Sequence, residues 1–480
     1  MRGVASAILC GVVVVGCSST SPDEPAPSWA GTPAVSGSRL RARYVTGGGA
    51  RELVAFFDTA RNEECTFQAA ADGTMRCLPS AVTSVGTGAS GWAFSDAECR
   101  QRAVVLGACA RETKYVATTR LDGCGDGPVT SIRPVLTPAT SMYTANGSTC
   151  TIQPAISLQG AFTLGDEIPF SQFVDAEVAT FAAGDVAERV AVASDGARQH
   201  LGFRIDSLDA DCTFQVMADG VTRCVPTAFS VQLLYADSAC TKAVAVLESS
   251  TSCPSTRVFR DRGLDLACDG ARAIFGVAPE TDGPAEESFF VPNSSSMTCT
   301  TFNTRFSGHT VRHLTNITAS LPSAARRGVG EGRLVPALVE GARSADLVRG
   351  YHDVERSVDC TFTRAADGKL RCLPTGPEAR LFFADPSCRS PGRLAAFTGS
   401  ASCADSGGSN ARVTSGPSCG EPPESAVTRV YALGSERRNV VDASLETSPG
   451  RCARVAGVNG VADAFELDPA LFVEGTIVTE

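Results

Sequence analysis

The chain has 480 residues, 43% of them hydrophobic and 20% charged, ample material for a core. A formal net charge of −10 and a pI near 5.1 exclude the attraction to phosphate backbones on which nucleic-acid binding rests. No basic run is present to hold the chain to an anionic membrane by charge.

The first segment reads MRGVASAILCGVVVVGC. One positive charge, Arg2, precedes an apolar stretch over residues 4–15, too short to span a bilayer, which takes about 20 residues. Residues 1–16 therefore read as a secretory signal peptide. Its end, Val14-Val15-Gly16-Cys17, resembles the lipobox of bacterial lipoproteins, with valine where the family usually has leucine. The resemblance implies that Cys17 is diacylated, becomes the mature N-terminus and is then N-acylated, so the membrane is a partner through a lipid anchor. More than one acyl chain holds a protein stably, whereas a single chain does not. Ser18 follows the lipid cysteine in place of aspartate. In Gram-negative members this implies the outer membrane, on its periplasmic face or at the cell surface. Residues 18–37, SSTSPDEPAPSWAGTPAVSG, cannot bury enough apolar area to fold. Residues 17–37 are expected to form a lipidated tether reaching roughly 25 Å as a coil.

Cys10 lies in the signal; beyond it and Cys17, eighteen of the 20 cysteines remain, in three sets of six. They are Cys65, Cys77, Cys99, Cys109, Cys124 and Cys150; Cys212, Cys224, Cys240, Cys253, Cys268 and Cys299; and Cys360, Cys372, Cys388, Cys403, Cys419 and Cys452. The first cysteine recurs after 147 and then 148 residues, which divides the body into repeat 1 (38–183), repeat 2 (184–331) and repeat 3 (332–480). An even count in a secreted chain reads as a disulfide framework. Zinc is the weaker reading, because no pair has CxxC spacing and the chain has only 4 histidines. The expected pairing within each set is first with second, third with fourth and fifth with sixth.

Each set opens on the same fifteen residues: CTFQAAADGTMRCLP, CTFQVMADGVTRCVP and CTFTRAADGKLRCLP. Thr66, Phe67 and Gln68 alternate as a strand, Asp72-Gly73 turns, and Met75, Arg76 and Cys77 return, which brings Cys77 nearly opposite Cys65. Pro79, Pro226 and Pro374 end the second strand. An opening strand precedes each hairpin, at Arg39-Leu40, Arg189-Val190 and Arg333-Leu334, followed by Asp58, Asp206 and Asp353. After each hairpin FSDAEC, YADSAC and FADPSC place Asp96, Asp237 and Asp385 before the third cysteine. Repeats 1 and 3 end alike, in FVDAEVATF and FVEGTIVTE, with a weaker counterpart in repeat 2 near HLTNITAS.

Short alternating runs, frequent turns and no amphipathic helix predict an all-β chain of three disulfide-braced repeats. Two architectures fit: a six-bladed β-propeller with two blades per repeat, or three tandem β-sandwich domains. The absence of a linker between repeats 1 and 2 favours the propeller; SAARRGVGEG before repeat 3 reads as a linker and favours the sandwiches.

No residue is assigned a catalytic, cofactor-binding or metal-binding role. CADSGGSN around Ser406 resembles the nucleophile segment of chymotrypsin-like proteases. That family also needs a histidine in an Ala-Ala-His-Cys context, and His200, His309, His313 and His352 all lack it, so Ser406 has no general base. HTVRH places His309 and His313 four apart, but on a strand that spacing separates them by about 13 Å. The shared acids (Asp58, Asp206, Asp353, Asp96, Asp237 and Asp385) read as turn caps that pair with Arg76, Arg223 and Arg371; no calcium-loop pattern is present. With only 2 tryptophans and 6 tyrosines the chain lacks the usual aromatic platforms of glycan binders. Three functional readings follow: a lipid-anchored, non-enzymatic binding or scaffold module with an envelope protein or glycan as ligand; an envelope hydrolase with a carboxylate site in a central channel; and a purely structural envelope protein. Shared features serve the fold, so specificity is expected in what the repeats do not share, including residues 279–288 and the stretch from Gly420.

Overall fold

The computed structural model describes residues 34–480 apart from 86–92, 107–112, 122–127, 147–148, 154–159, 184, 218, 228, 232, 249–257, 262–273, 279–287, 293–297, 303–308, 325, 329–331, 340–346, 376–377, 386, 389–392, 398–409, 416–425, 437 and 449–450. Among these residues the chain is all-β, its only helical elements being short 3-10 turns. No described helix is long and apolar enough to cross a membrane.

Among the described residues fifteen strands, five from each repeat, follow one another in one continuous sheet, to which the short strand Ala34–Val35 adds a sixteenth. Repeat 1 supplies β1 (Leu40–Gly47), β2 (Ala50–Asp58), β3 (Glu63–Ala69), β4 (Met75–Pro79) and β5 (Asp175–Ala183). Repeat 2 supplies β6 (Val186–Ala193), β7 (Arg198–Ile205), β8 (Ala210–Val216), β9 (Thr222–Pro226) and β10 (Arg326–Gly328). Repeat 3 supplies β11 (Leu334–Val339), β12 (Leu347–Asp353), β13 (Val358–Arg364), β14 (Leu370–Pro374) and β15 (Glu474–Thr479).

The last strand of each repeat joins two repeats. β5 pairs with β4 at Asp175–Arg76 and with β6 along its length. β15 pairs with β14 at Glu474–Arg371 and with β1 from Thr46–Thr476 to Arg43–Thr479. In repeat 2 the segment 322–324 bridges to β9 through Ser323–Arg223, and β10 then pairs with β11. Three equivalent hydrogen bonds mark the three seams: Cys77 N–H to Val174 O at 3.0 Å, Cys224 N–H to Pro322 O at 2.8 Å and Cys372 N–H to Val473 O at 2.9 Å. The sheet therefore closes into a ring, which removes its free edges.

Between its fourth and fifth ring strands each repeat makes a separate outer sheet, of 8, 8 and 6 strands among the described residues. The alternation of the hairpin strands explains why both layers are needed. Cys65, Phe67 and Cys77 point to one face and pack with Leu40, Tyr44, Phe56 and Ala191. Leu78 and Ala70 point to the other and pack with Tyr115, Ala117 and Ile132 of the outer sheet. Repeat 3 does the same with Cys360 and Cys372 on one side and Leu373 and Val430 on the other.

This arrangement departs from both expected architectures. Six separate blades would leave the two halves of a repeat as similar four-stranded sheets; instead one half of every repeat enters a shared ring and the other half stays private. Independent sandwiches would not share strands, and here β5, β10 and β15 do. SAARRGVGEG is no simple linker, since it contains β10, and the counterpart of FVDAEVATF in repeat 2 begins at Leu321, just beyond HLTNITAS. The tether also ends earlier than expected. Ala34–Val35 pairs with Arg198 and Gln199 of β7, and Ser36 Oγ donates to Glu480 O at 2.8 Å. Composition missed this because the pairing uses backbone groups, which any residue but proline can supply.

The hairpins are stapled by Cys65–Cys77, Cys212–Cys224 and Cys360–Cys372. The register is offset from the expected one: Cys65 faces Pro79 and Cys77 faces Phe67, so each bridge runs diagonally across the pair, with Cα atoms 5.2–5.3 Å apart. The offset follows from the turn, in which Ala70 N–H donates to Thr74 O and Gly73 takes φ +79°. The third cysteine pairs with the sixth and not with the fourth, as Cys99–Cys150, Cys240–Cys299 and Cys388–Cys452. Sequence proximity misled here, because strand Tyr143–Asn146 pairs with both Thr149–Ile152 and Ala93–Phe94, which carries Cys150 to the loop of Asp96. Fourth and fifth cysteines (Cys109, Cys124, Cys253, Cys268, Cys403 and Cys419) lie outside the described residues, as does Cys17. Six disulfides among the described residues place the folded chain in an oxidising compartment, extracellular or in a cell envelope.

Candidate functional site

Repeats 1 and 3 each build a charged seat at one end of the ring. Leu40 pairs with Asp58 across β1 and β2, which sets Arg39 beside Asp58. Arg39 grips the carboxylate with both prongs, Nε to Oδ1 at 2.7 Å and Nη2 to Oδ2 at 2.6 Å, and Nη2 also donates to Gln172 O at 2.8 Å. Asp58 is 1% exposed, and its Oδ1 accepts from the backbone of Ala60 and Arg61 in the following turn. Repeat 3 repeats the set: Arg333 on Asp353, Nη2 on Leu471 O at 2.8 Å, and Asp353 Oδ1 on the backbone of Glu355 and Arg356. The hydrogen bond to the carboxylate raises the pKa of Arg39 and of Arg333. A second guanidinium completes each seat, Arg61 over the Phe173 ring at 4.7 Å and Arg356 over Phe472 at 4.9 Å.

Repeat 2 changes all four residues of the seat. By register Ala187 pairs with Arg204, so Val186 and Ile205 take the places of Leu40 and Asp58, and Asp185 takes the place of Arg39. Leu208 stands for Arg61, and Leu321, the residue after the Thr318–Ser320 turn, stands for Phe173. The internal ion pair and the cation–π contact are gone. In their place is a cleft of about 590 Å³ lined by Asp185, Ile205, Asp206, Leu208, Ser320 and Leu321 among others. Its volume lies within the roughly 300–1,000 Å³ of ligand pockets. Asp185 is exposed and has no ion-pair partner among the described residues. Asp206 is 75% exposed and meets Arg204 only at 4.0 Å, since Arg204 makes closer pairs with Asp209 and Asp211.

The acids singled out from sequence have separate places. Asp58 and Asp353 bind Arg39 and Arg333, not Arg76 and Arg371; those arginines, with Arg223, pair four residues back with Asp72, Asp219 and Asp367 of the hairpin turn. Asp206 is not their equivalent. Ile205, seven residues before Cys212 as Asp58 is before Cys65, holds that position. The shared count was a usable signal; the aspartate one place along masked it. Asp96, Asp237 and Asp385 cap the loops of the third cysteines by accepting backbone N–H groups at Arg100, Thr241 and Ser387. His309 and His313 lie on one strand, paired with Glu248 and Val244. His352 contacts Asp359 at 2.9 Å. Ser406 and residues 279–287 lie outside the described residues, as does the stretch from Gly420 to residue 425.

Several buried polar groups outside the seats were not legible in the sequence. His200 and Glu188 pair at 2.9 Å, 7% and 3% exposed, where repeat 1 has Leu53 and Ala42. Glu52 Oε2 is buried without a hydrogen-bond partner among the described residues. Burial alone pushes the Glu52 carboxyl up, and no neighbouring charge adds to it. No group of three or more metal-ligating side chains occurs among the described residues.

A family model matches residues 12–438, and its description is a family of unknown function, DUF7481. No curated protein and no solved structure matches the chain.

Proposed function

The chain belongs to DUF7481, a family of unknown function, and we propose that this member is a lipid-anchored, non-enzymatic binding module of a cell envelope. Cys17 is its acylated N-terminus, the residues before Ala34 are its tether, and the three-fold ring is its rigid platform. The outer membrane is the site that Ser18 favours.

One observation supports the binding role. Two repeats fill a seat with their own side chains, and the third leaves the same seat open, lined with carboxylates and apolar groups. A chain whose repeats served only to build an envelope wall has no use for that exception. Shared cysteines and hairpins carry the fold, and the repeat that differs carries the specificity.

Two experiments test this. Labelled fatty acid fed to producing cells is expected to enter the wild type and not Cys17→Ala, which becomes soluble; equal labelling ends the lipoprotein reading. A photo-crosslinking amino acid at Ser207, on the cleft, is expected to give adducts in intact envelopes. The same group at Ala60 or Glu355, the equivalent positions of repeats 1 and 3, is expected to give none. Adducts at all three, or at none, contradict a binding role for repeat 2.

A further inference from the structure

We propose that the repeat 2 cleft receives the guanidinium of an arginine side chain from a second polypeptide, seated where repeats 1 and 3 seat their own Arg39 and Arg333. This rests on the reading of repeat 2 as a binding site and names the chemistry of its ligand.

Three features of the molecule carry it. The first is the pair of sister repeats, which show what this backbone geometry holds. In each, a guanidinium lies at the equivalent position, gripped by a carboxylate and by the carbonyl that ends the 3-10 turn, Gln172 O or Leu471 O. Ser320 ends the same turn in repeat 2 and brings the same carbonyl. The second is charge. Each sister seat contains two arginines, Arg39 and Arg61 or Arg333 and Arg356. Repeat 2 replaces both, with Asp185 and Leu208, and adds Asp206 on the rim, so among the described residues the cleft carries two carboxylates and only Arg204, 4.0 Å from Asp206 and held by Asp209 and Asp211, as a nearby cation. The third is shape. Half-buried Leu208 offers apolar surface for the aliphatic stem of an arginine, over the buried Leu321, Ile205 and Val186 that form the cleft's floor, while a planar fork pairs with carboxylate and carbonyl acceptors as no ammonium does. Exposed ion pairs are individually weak, so selectivity for arginine over lysine has to come from fork geometry.

The test uses the full mature protein and three fluorescent pentapeptides, acetyl-Gly-Leu-X-Leu-Gly-amide, with X arginine, lysine or citrulline. Fluorescence anisotropy is expected to show the arginine peptide binding about tenfold or more tighter than citrulline, its neutral isostere, and tighter than lysine, with affinity falling as salt rises. Asp185→Asn, at an exposed position, is expected to weaken the arginine peptide severalfold and leave the citrulline peptide unchanged. Asp185→Arg combined with Ile205→Asp refills the seat from within and is expected to abolish binding. Equal affinity for arginine and citrulline, or unchanged binding to the refilled variant, overturns the proposal. Photo-adducts at Ser207 without any arginine preference would overturn this ligand class and leave the cleft a binding site; absent adducts would remove both.

Discussion

Asp58 shows how much one residue can depend on another. It is 1% exposed and its charge is met by Arg39. Removing one member of such a pair leaves an uncompensated charge in low dielectric, which costs about 3–5 kcal/mol. Arg39→Ala is therefore expected to lower the unfolding free energy by that amount, whereas Asp185→Ala, at the same place in repeat 2 but exposed, is expected to stay within about 0.5 kcal/mol. Chemical denaturation of the two variants decides it. Tyr351 is the opposite case. Phe56 and Phe203 hold its position in the sister repeats, so the fold does not depend on a hydroxyl there. Tyr351→Phe is expected to leave stability within about 1 kcal/mol of wild type, because a hydroxyl that both sister repeats do without carries little of the fold. The acids set a pH signature. Arg100 N–H chiefly holds Asp96, and the Thr241 hydroxyl chiefly holds Asp237, below the ordinary 3.8. Depressed carboxyls contribute stability above their unfolded pKa and lose it as pH falls through the folded one, so these loops weaken only below 3.8. Glu52 runs the other way. Burial raises it above 4.5, so its favourable contribution is complete below 4.5 and lost as pH rises through the folded value. Glu52→Gln is expected to raise Tm at neutral pH and to match wild type below 4.5.

At the scale of elements, the hairpin and the seam behave differently. The hairpin is local: Cys212→Ala with Cys224→Ala is expected to cost about 2–5 kcal/mol, read from thermal unfolding, through the freed loop in the unfolded chain. The seam is long-range. A Cβ on Gly475 would come within 2.5 Å of Val45 and 2.7 Å of Phe362, so Gly475→Val pushes β15 away from β1 and β14. Hydrogen exchange is expected to quicken along β1 and β14 in that variant while β8 and β9 keep their protection. Legibility followed the same division. Hairpins, turn glycines and strand-ending prolines could be read directly, since strand alternation and an Asp-Gly turn act within a dozen residues. The pairing of Cys99 with Cys150 could not, because it depends on which strands the outer sheet brings together. Nor could the ring: FVEGTIVTE looks like any final strand until β1 is found beside it. The seat of repeat 2 lay between the two. Asp185 and Ile205 are plain in the sequence, yet they acquire meaning only once Leu40–Asp58 and Leu334–Asp353 show what stands across the sheet from what.

For the whole molecule, three copies of one unit close a ring, and each copy adds a private outer sheet. The function proposed for repeat 2 rests on the three repeats being equivalent in backbone at the seat. That equivalence is the central claim, and a double-mutant cycle in repeat 2 tests it. Ile205→Asp alone buries a lone carboxylate, and Asp185→Arg alone sets a guanidinium over an apolar wall. Together they recreate the pair that Arg39 makes with Asp58. If the backbone of repeat 2 matches its sisters, the double variant recovers stability lost by the single ones, with a favourable coupling of about 2–3 kcal/mol in chemical denaturation. Single effects that simply add, within about 0.5 kcal/mol, would show that the seat geometry is not shared and that the open cleft is no vacated arginine site.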